Sequence, residues 1–316
     1  MTIRAVLQFR ASPGFRDRLA DAETVWLSIS VVDEDDEAAF IAAMQDADVL
    51  WHVLKPVTSQ VIGNAPKLRL IQKIGVGVNT IDLKAAEKRG IAVANMPGTN
   101  SRAVAESTLT LMLAALRRTL YFDAITRRGD GWRPESEAFD KLGEIGGRTV
   151  GLVGMGAVPS CLVPVVLALG AKVLYTARTP KPDAPAQWVS LDELIRKSDI
   201  VSLHVPLTDE TARMIDRERI ARMKTGVVIV NTARGELIDE AALVDGLKSG
   251  HIAAAGLDVF ASEPADAANP LFDLPNVVVS PHVAWLTPET RDRSLAVAVE
   301  NCRRLRSGER LLHRVV

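Results

Sequence analysis

Between Arg148 and Lys172 the chain runs for 23 residues without a charge, from Thr149 to Ala171. The run opens as the apolar segment Thr149-Val150-Gly151-Leu152-Val153, turns through Gly154-Met155-Gly156-Ala157-Val158-Pro159, and continues apolar from Ser160 to Leu169 before Gly170. That order predicts a buried strand, a tight turn, and a helix with a glycine just past its end. Gly151, Gly154, Gly156, Pro159 and Pro164 break any continuous helix pattern, which argues against a membrane span. Gly154 lets the chain turn sharply, and Gly156 lets backbone N–H groups approach a pyrophosphate at the positive end of the helix. The implied ligand is a dinucleotide; a glycine turn with no ligand is the alternative, since one GxG is a common pattern.

The third glycine position of such a turn holds Pro159. Proline is tolerated in a first helical turn, yet it removes a possible donor and alters the helix–strand contact that glycine permits. Pro164 lies deeper and is expected to kink the helix. After the helix, Lys172 to Tyr175 reads as the second strand, whose end should carry an acid if the two ribose hydroxyls of NAD are to be held. No Asp or Glu occurs between Glu144 and Asp183. The strand runs instead into Thr176-Ala177-Arg178-Thr179-Pro180-Lys181, where Arg178 and Lys181 can meet a 2′-phosphate, so NADP is expected over NAD. A solvated basic loop is the other reading.

The 316 residues, 47% of them hydrophobic, suffice for two domains with their own cores. A net charge of −1 implies neither a nucleic-acid surface nor a basic membrane patch. Cys161 and Cys302 have no CxxC spacing and are too few for a disulfide framework or a zinc site, so no metal is expected. A reducing cytoplasm fits them, and the N-terminus shows no signal-peptide core.

From the N-terminus to about Pro97, strand candidates at Arg4–Phe9, Val25–Ser30, Ala47–Val53, Leu68–Ile74 and Ile91–Ala94 alternate with helices near Phe15–Ala20, Glu37–Ala43 and Asp82–Lys88. Such alternation predicts a small parallel sheet with helices on both faces. Two of its loops stand out. One is Lys55-Pro56; the other, Ile74-Gly75-Val76-Gly77-Val78-Asn79, either presents backbone N–H groups to a carboxylate or forms an ordinary strand-end turn. One long helix is then expected over Ser101–Arg127, apolar on more than one face, bridging two domains and packing on a partner subunit or in the interior. Beyond the glycine turn, a helix at Leu191–Lys197, strands at Ile200–Leu203 and Val227–Val230, a helix at Asp239–Lys248, and strands at Ala253–Leu257 and Val277–Val279 bring the second sheet to six strands. The helix at Pro288–Arg306 should return to the first domain. The expected fold is α/β with two doubly wound parallel-sheet domains: a Rossmann-type nucleotide-binding domain, residues 99–286, and a discontinuous flavodoxin-like substrate domain, residues 1–98 with 287–316.

In a doubly wound sheet ligands gather at the carboxyl ends of the strands. Three exits of the second domain supply Arg234, Glu263 and His282. An imidazole is a natural proton donor or acceptor near neutral pH, and a carboxylate beside it favours its charged form. The planar fork of Arg234 suits a carboxylate with an adjacent oxygen. Taken singly, His282 also reads as a satisfied core histidine, Glu263 as a surface acid beside Pro264, and Arg234 as a loop salt-bridge partner.

These residues resemble the D-isomer-specific 2-hydroxyacid dehydrogenases. The match is carried by Val150–Gly156, LHVPLT at 203–208, NTARGELID at 231–239, GLDVFASEP at 256–264 followed by Pro281-His282, and further by KIGVGVNTID at 73–82 and AVAESTL at 103–109. The resemblance implies that Arg234 polarises a 2-oxo acid, that His282 is the acid/base, and that Glu263 orients and charges it. Val76 and Gly77 would hold the substrate carboxylate through backbone N–H groups. Gly154, Gly156, Ala157 and Val158 would meet the pyrophosphate, Arg178 the adenosine end, and His204, Val205 and Pro206 the adenine side. Thr232, Ala233 and Asp258 would line the nicotinamide, with Thr108 backing it, and a homodimer is expected around the long helix.

The expected chemistry is hydride transfer between a nicotinamide and C2 of a small 2-oxo or 2-hydroxy acid. The family's formate branch pairs its histidine with glutamine, which Glu263 argues against. Glyoxylate or hydroxypyruvate is the expected substrate, because the Tyr-Thr-Ala-Arg-Thr-Pro loop is similar to that of NADP-using reductases, and the regulatory domain appended to many phosphoglycerate members is not expected after the return helix. Trp285, Trp132 and Met96 are candidates for narrowing the pocket, and all three read equally as core. Two alternatives stay open: a nucleotide-sensing, non-catalytic protein of the same fold, and a dehydrogenase of a larger or phosphorylated acid using Lys55 or Arg102.

Overall fold

The alternation of apolar runs and helical segments builds two parallel sheets in the structure, a computed structural model that describes residues 2–316. Among these residues, one compact unit reaches to Asn100 and resumes at Thr287–Val316; the other is Ser101–Leu286.

The first unit holds β1 (Ile3–Gln8), β2 (Leu27–Val32), β3 (Val49–His52), β4 (Leu70–Lys73) and β5 (Ala92–Ala94) in the order β2-β1-β3-β4-β5, all parallel. Strands β3 to β5 are buried throughout, the polar His52, Gln72 and Lys73 at their ends included, as expected of a parallel sheet covered on both faces. The helices between strands are α1 (Pro13–Ala22), α2 (Glu37–Met44), α3 (Ser59–Gly63) and α4 (Leu83–Lys88). Asp36, Thr58 and Asp82 accept first-turn N–H groups and so start α2, α3 and α4. The returning helix, Pro288–Ser307, is tied to β4 by a buried amide pair: Asn301 Nδ2 donates to Gln72 Oε1 at 2.6 Å, and Leu312 N–H donates to Asn301 Oδ1 at 2.8 Å. The last residues then pair with the β5 edge, Val315 N–H reaching the Val93 carbonyl at 2.7 Å. An otherwise open strand is thereby covered.

In the second unit, the predicted long helix is two: α5 (Ser101–Leu116) and α6 (Thr119–Arg127). Arg118 adopts φ +48° between them, and the Leu116 carbonyl accepts the Gly143 N–H at 2.9 Å instead of continuing a ladder. An arginine with left-handed backbone leaves no mark in an apolar pattern. The several apolar faces of α5 are used within this unit, against α7, β10, β11 and β12 as defined below. The unit continues as β6 (Thr149–Val153), α7 (Ala157–Ala168), β7 (Lys172–Thr176), β8 (Gln187–Trp188), α8 (Leu191–Lys197), β9 (Ile200–Leu203), α9 (Arg217–Ala221), β10 (Val227–Asn231), α10 (Glu240–Ser249), β11 (Ile252–Leu257) and β12 (Val277–Val279). The sheet order is β12-β11-β10-β9-β6-β7-β8. It has seven strands rather than six, because the two-residue β8 joins the edge of β7. Helix α7 passes uninterrupted through Pro164, whose ring removes the N–H that the Ser160 carbonyl would otherwise accept. The order reverses between β6 and β9, and there the carboxyl ends of a doubly wound sheet leave a ligand crevice. No helix among the described residues is long and apolar enough to cross a membrane.

Candidate active site

The turn after β6 is built for close approach. Gly154 has φ +107°, and a Cβ there would stand 2.6 Å from the His204 carbonyl oxygen, so both backbone conformation and the neighbouring β9 exit require glycine. Gly156 differs: its φ of −91° suits any residue, and a Cβ on it would meet no protein atom within 4 Å. Packing therefore does not explain this glycine, whereas close approach of a ligand does. It caps α7 without a side-chain acceptor, which leaves the first-turn N–H groups of Ala157 and Val158 directed at the turn. Pro159 falls at the third helical position, where the missing N–H has no ladder partner. The helix loses nothing; the anion site loses one donor. These residues fit a pyrophosphate.

At the β7 exit Arg178 is exposed, and the loop beyond it is fixed by Tyr175, whose hydroxyl accepts the Lys181 N–H at 2.7 Å. At the β9 exit the His204 ring pairs with Ser202 Oγ at 2.9 Å, and burial pulls its pKa down to about 4, which keeps it neutral near pH 7. Val205 and Pro206 follow it. The fully buried Thr108 donates to the Val104 carbonyl at 2.7 Å, and its hydroxyl oxygen meets that of Thr232 at 2.8 Å. Having spent its own proton, Thr108 accepts from Thr232 and holds the β10 exit.

The three chemical candidates are fixed by neighbouring exits. Asn231 pins the β10 turn by accepting the Ala233 N–H at 3.0 Å and donating to the Arg234 carbonyl at 2.7 Å. Burial lowers the Arg234 pKa from its ordinary value, Glu263 and Glu236 opposing the shift. At the β11 exit Asp258 is fully buried; Ser280 Oγ and the Val283 N–H reach Oδ1 at 2.6 and 2.9 Å, and the Ala284 N–H reaches Oδ2 at 2.9 Å. Burial raises its pKa against these bonds. Asp258 thus anchors the loop carrying His282, whose own N–H donates to the Asp258 carbonyl at 2.7 Å. His282 has φ +56°, a left-handed conformation held by that anchorage. Its Nδ1 meets Glu263 Oε2 at 2.6 Å, and Glu263 Oε1 accepts the Phe260 N–H at 3.0 Å. Burial pushes the Glu263 carboxyl up, but the His282 ring, the Phe260 N–H and Arg234 together hold it below its ordinary value. The carboxylate stays ionised, and the ring's Nε2 is left for proton transfer. Trp285 Nε1 donates to the His282 carbonyl at 3.1 Å.

In the first unit, the β4 exit presents Val76, 45% exposed, and Gly77; among the described residues their N–H groups meet no acceptor. Asn95 and the Met96 N–H brace the loop through the Val76 and Gly75 carbonyls at 2.9 and 2.8 Å. The Lys55 ammonium is turned onto the Glu34 carbonyl, and Arg102 is exposed. Of the pocket-narrowing candidates, Met96 is 0% exposed and packs as core, while Trp132 is 92% exposed. Sequence reasoning missed Asn231, which pins the β10 turn from within, and Ser280 and Gly235, each of which acts by joining two strand exits.

Residues 109–284 match the model of the D-isomer specific 2-hydroxyacid dehydrogenase, NAD binding domain. The D-3-phosphoglycerate dehydrogenase of Mycobacterium leprae is 39% identical over 302 residues, 93% of this chain and 56% of that protein, so the chain spans about half that relative's length. The glyoxylate reductase of Korarchaeum cryptofilum is 40% identical over 275 residues, 85% of this chain and 82% of that one. The crystal structure of the TT0316 protein from Thermus thermophilus aligns with a TM-score of 0.88 and 38% identity, covering 99% of this chain and 100% of that one. With a matching model over more than half its length and relatives of this identity, the chain belongs to the D-isomer specific 2-hydroxyacid dehydrogenase family.

Proposed function

We propose that this chain is a reductase of a small 2-oxo acid, glyoxylate or hydroxypyruvate, that prefers NADP(H) and works as a cytoplasmic homodimer. The observation that carries the chemistry is the 2.6 Å contact of His282 with Glu263 on strand exits adjoining that of Arg234. A bound nicotinamide supplies the hydride that becomes the hydrogen on C2. The N–H groups of Val76 and Gly77 hold the substrate carboxylate. Arg234 polarises the 2-oxo group and stabilises negative charge as it develops on the oxygen. His282 Nε2 gives that oxygen its proton, so C=O becomes CH–OH, while Glu263 stays ionised against Nδ1 and fixes the ring. Thr232, Ala233 and Asp258 shape the nicotinamide side with Thr108 behind them, and His204, Val205 and Pro206 shape the adenine side. The NADP preference rests on Arg178 at a β7 exit that carries no acid.

A phosphorylated 2-oxo acid is the second reading, favoured by the 39% identity to a phosphoglycerate dehydrogenase over 93% of this chain. One panel decides: purified protein with NADH or NADPH and glyoxylate, hydroxypyruvate, pyruvate or phosphohydroxypyruvate. Fastest NADPH oxidation with glyoxylate or hydroxypyruvate is the expected result. Preference for the phosphorylated acid selects the second reading, and nucleotide binding without turnover on any acid overturns both in favour of a sensor. Arg178→Asp should move the preference toward NADH; an unchanged ratio removes Arg178 from cofactor choice.

A further inference from the structure

The first unit carries a second concavity at the end of its sheet opposite the strand exits. Arg69 immediately precedes β4 and Gly90 precedes β5, so this is the amino-terminal edge of the strands. The cavity is about 570 Å³, within the usual range for small-molecule sites, and its wall includes Arg69, Gly90, Gly308, Arg310 and Arg314. Among the described residues, none of these three guanidiniums pairs with an Asp or Glu side chain. The acid on the wall, Glu309, is already bound to Arg303 and to Ser307, the Arg303 Nη2 contact being 2.7 Å.

The bland explanation is helix capping. Arg69 Nη2 does donate to the Leu305 carbonyl at 3.2 Å, near the end of the returning helix. A helix C-terminus presents only about half a negative charge, however, which one guanidinium more than offsets. Arg314 uses Nε on the Val316 main-chain oxygen at 2.7 Å, and the Arg310 guanidinium makes no hydrogen bond to the protein among the described residues. All three side chains are exposed, so water screens much of their mutual repulsion, yet together they draw anions to one concavity, and each planar fork suits a phosphate or carboxylate.

We infer that the cavity lined by Arg69, Arg310 and Arg314 binds a compact polyanion carrying at least two phosphate or carboxylate groups, at a site separate from the catalytic residues. The test is calorimetric titration of the whole protein at constant ionic strength, with the dinucleotide site saturated by NADH or NADPH. Pyrophosphate is the phosphate probe and citrate the carboxylate probe, and the tighter of the two names the chemistry. Saturable binding of one probe per chain is expected, weakened about tenfold by Arg310→Gln and lost in the Arg69→Gln/Arg310→Gln/Arg314→Gln variant. No saturable heat with either probe, or the same affinity in the variants, overturns the inference. Should the triple variant fail to fold, Arg310→Gln alone decides, because among the described residues that guanidinium makes no hydrogen bond or ion pair to the protein.

Discussion

Glu263 holds His282 by one oxygen and its own loop by the other: Oε2 meets the ring Nδ1 at 2.6 Å, and Oε1 accepts the Phe260 N–H at 3.0 Å. The carboxylate is therefore both an electrostatic partner and a clamp. His282→Ala should lower kcat by roughly 10²–10⁴, the range for losing a general acid/base, with dinucleotide affinity retained. Glu263→Gln should cost less in kcat and leave KM nearly unchanged, because an amide oxygen can still orient the ring while the charge is gone. Glu263 is held below its ordinary 4.5, so its contribution is present above that pH and is lost only as pH falls through the lower value. Steady-state kinetics across pH checks all three. Near-normal turnover of His282→Ala would remove this residue from the mechanism.

Gly235 is what lets Arg234 share an edge with that pair. A Cβ there would lie 1.9 Å from the Phe260 carbonyl carbon and 2.4 Å from the Ala261 nitrogen, and neither backbone atom can move without shifting the β11 exit. Gly235→Ala should destabilise the protein by about 2 kcal/mol or more and lower kcat/KM by more than about tenfold, as strand exits are forced apart. Gly14→Ala is the control, since a Cβ there meets nothing within 4 Å. Urea unfolding and kinetics on both variants give the comparison; equal behaviour would show that the close approach is relaxed at no cost.

These two relationships also mark where sequence stops being legible. The bounds of β9 and β12 could be read directly, because each is a short β-rich apolar run between polar turns. The placement of Arg234, Glu263 and His282 on adjoining exits was equally visible, since exits of a parallel sheet fall on one edge by rule. The break at Arg118, the two-residue β8 and the short α3 were not, for none changes a hydrophobic period. Nor could the anchoring role of Asp258 be read: it comes from Ser280, Val283 and Ala284, more than 20 residues away and joined to it only when β11 and β12 pair. Periodicity reports which face a residue takes, not which loop it will meet.

Pro159 makes a separate claim about affinity. As the third residue of α7 it withholds an N–H from the anion site while sparing the helix ladder. Pro159→Ala restores that donor without adding backbone freedom as glycine would. A charge-assisted hydrogen bond contributes about 1.5 kcal/mol, so dinucleotide Kd should fall roughly tenfold. Fluorescence titration with NADPH and NADH measures it. An unchanged Kd, with the fold intact, would show that the third-position donor does not reach the phosphates.

His204 gives the protein a pH-dependent stability apart from catalysis. Its folded pKa is about 4 against an ordinary 6.5, because burial disfavours the imidazolium. The unfolded chain therefore binds the proton first, and stability is fully present above about pH 6.5 and is lost as pH falls through 4. The shift corresponds to roughly 3 kcal/mol across that window. His52, with Nε2 on Thr80 and a pKa well below 6.5 from burial and the charge of Lys73, acts with the same sign, so the wild-type curve contains both. His204→Gln removes one titrating group and keeps a polar partner for Ser202. The wild-type loss of urea stability between about pH 7 and about pH 4.5 should be steeper than that of the variant, and parallel curves would show that His204 protonates in the folded protein at no penalty.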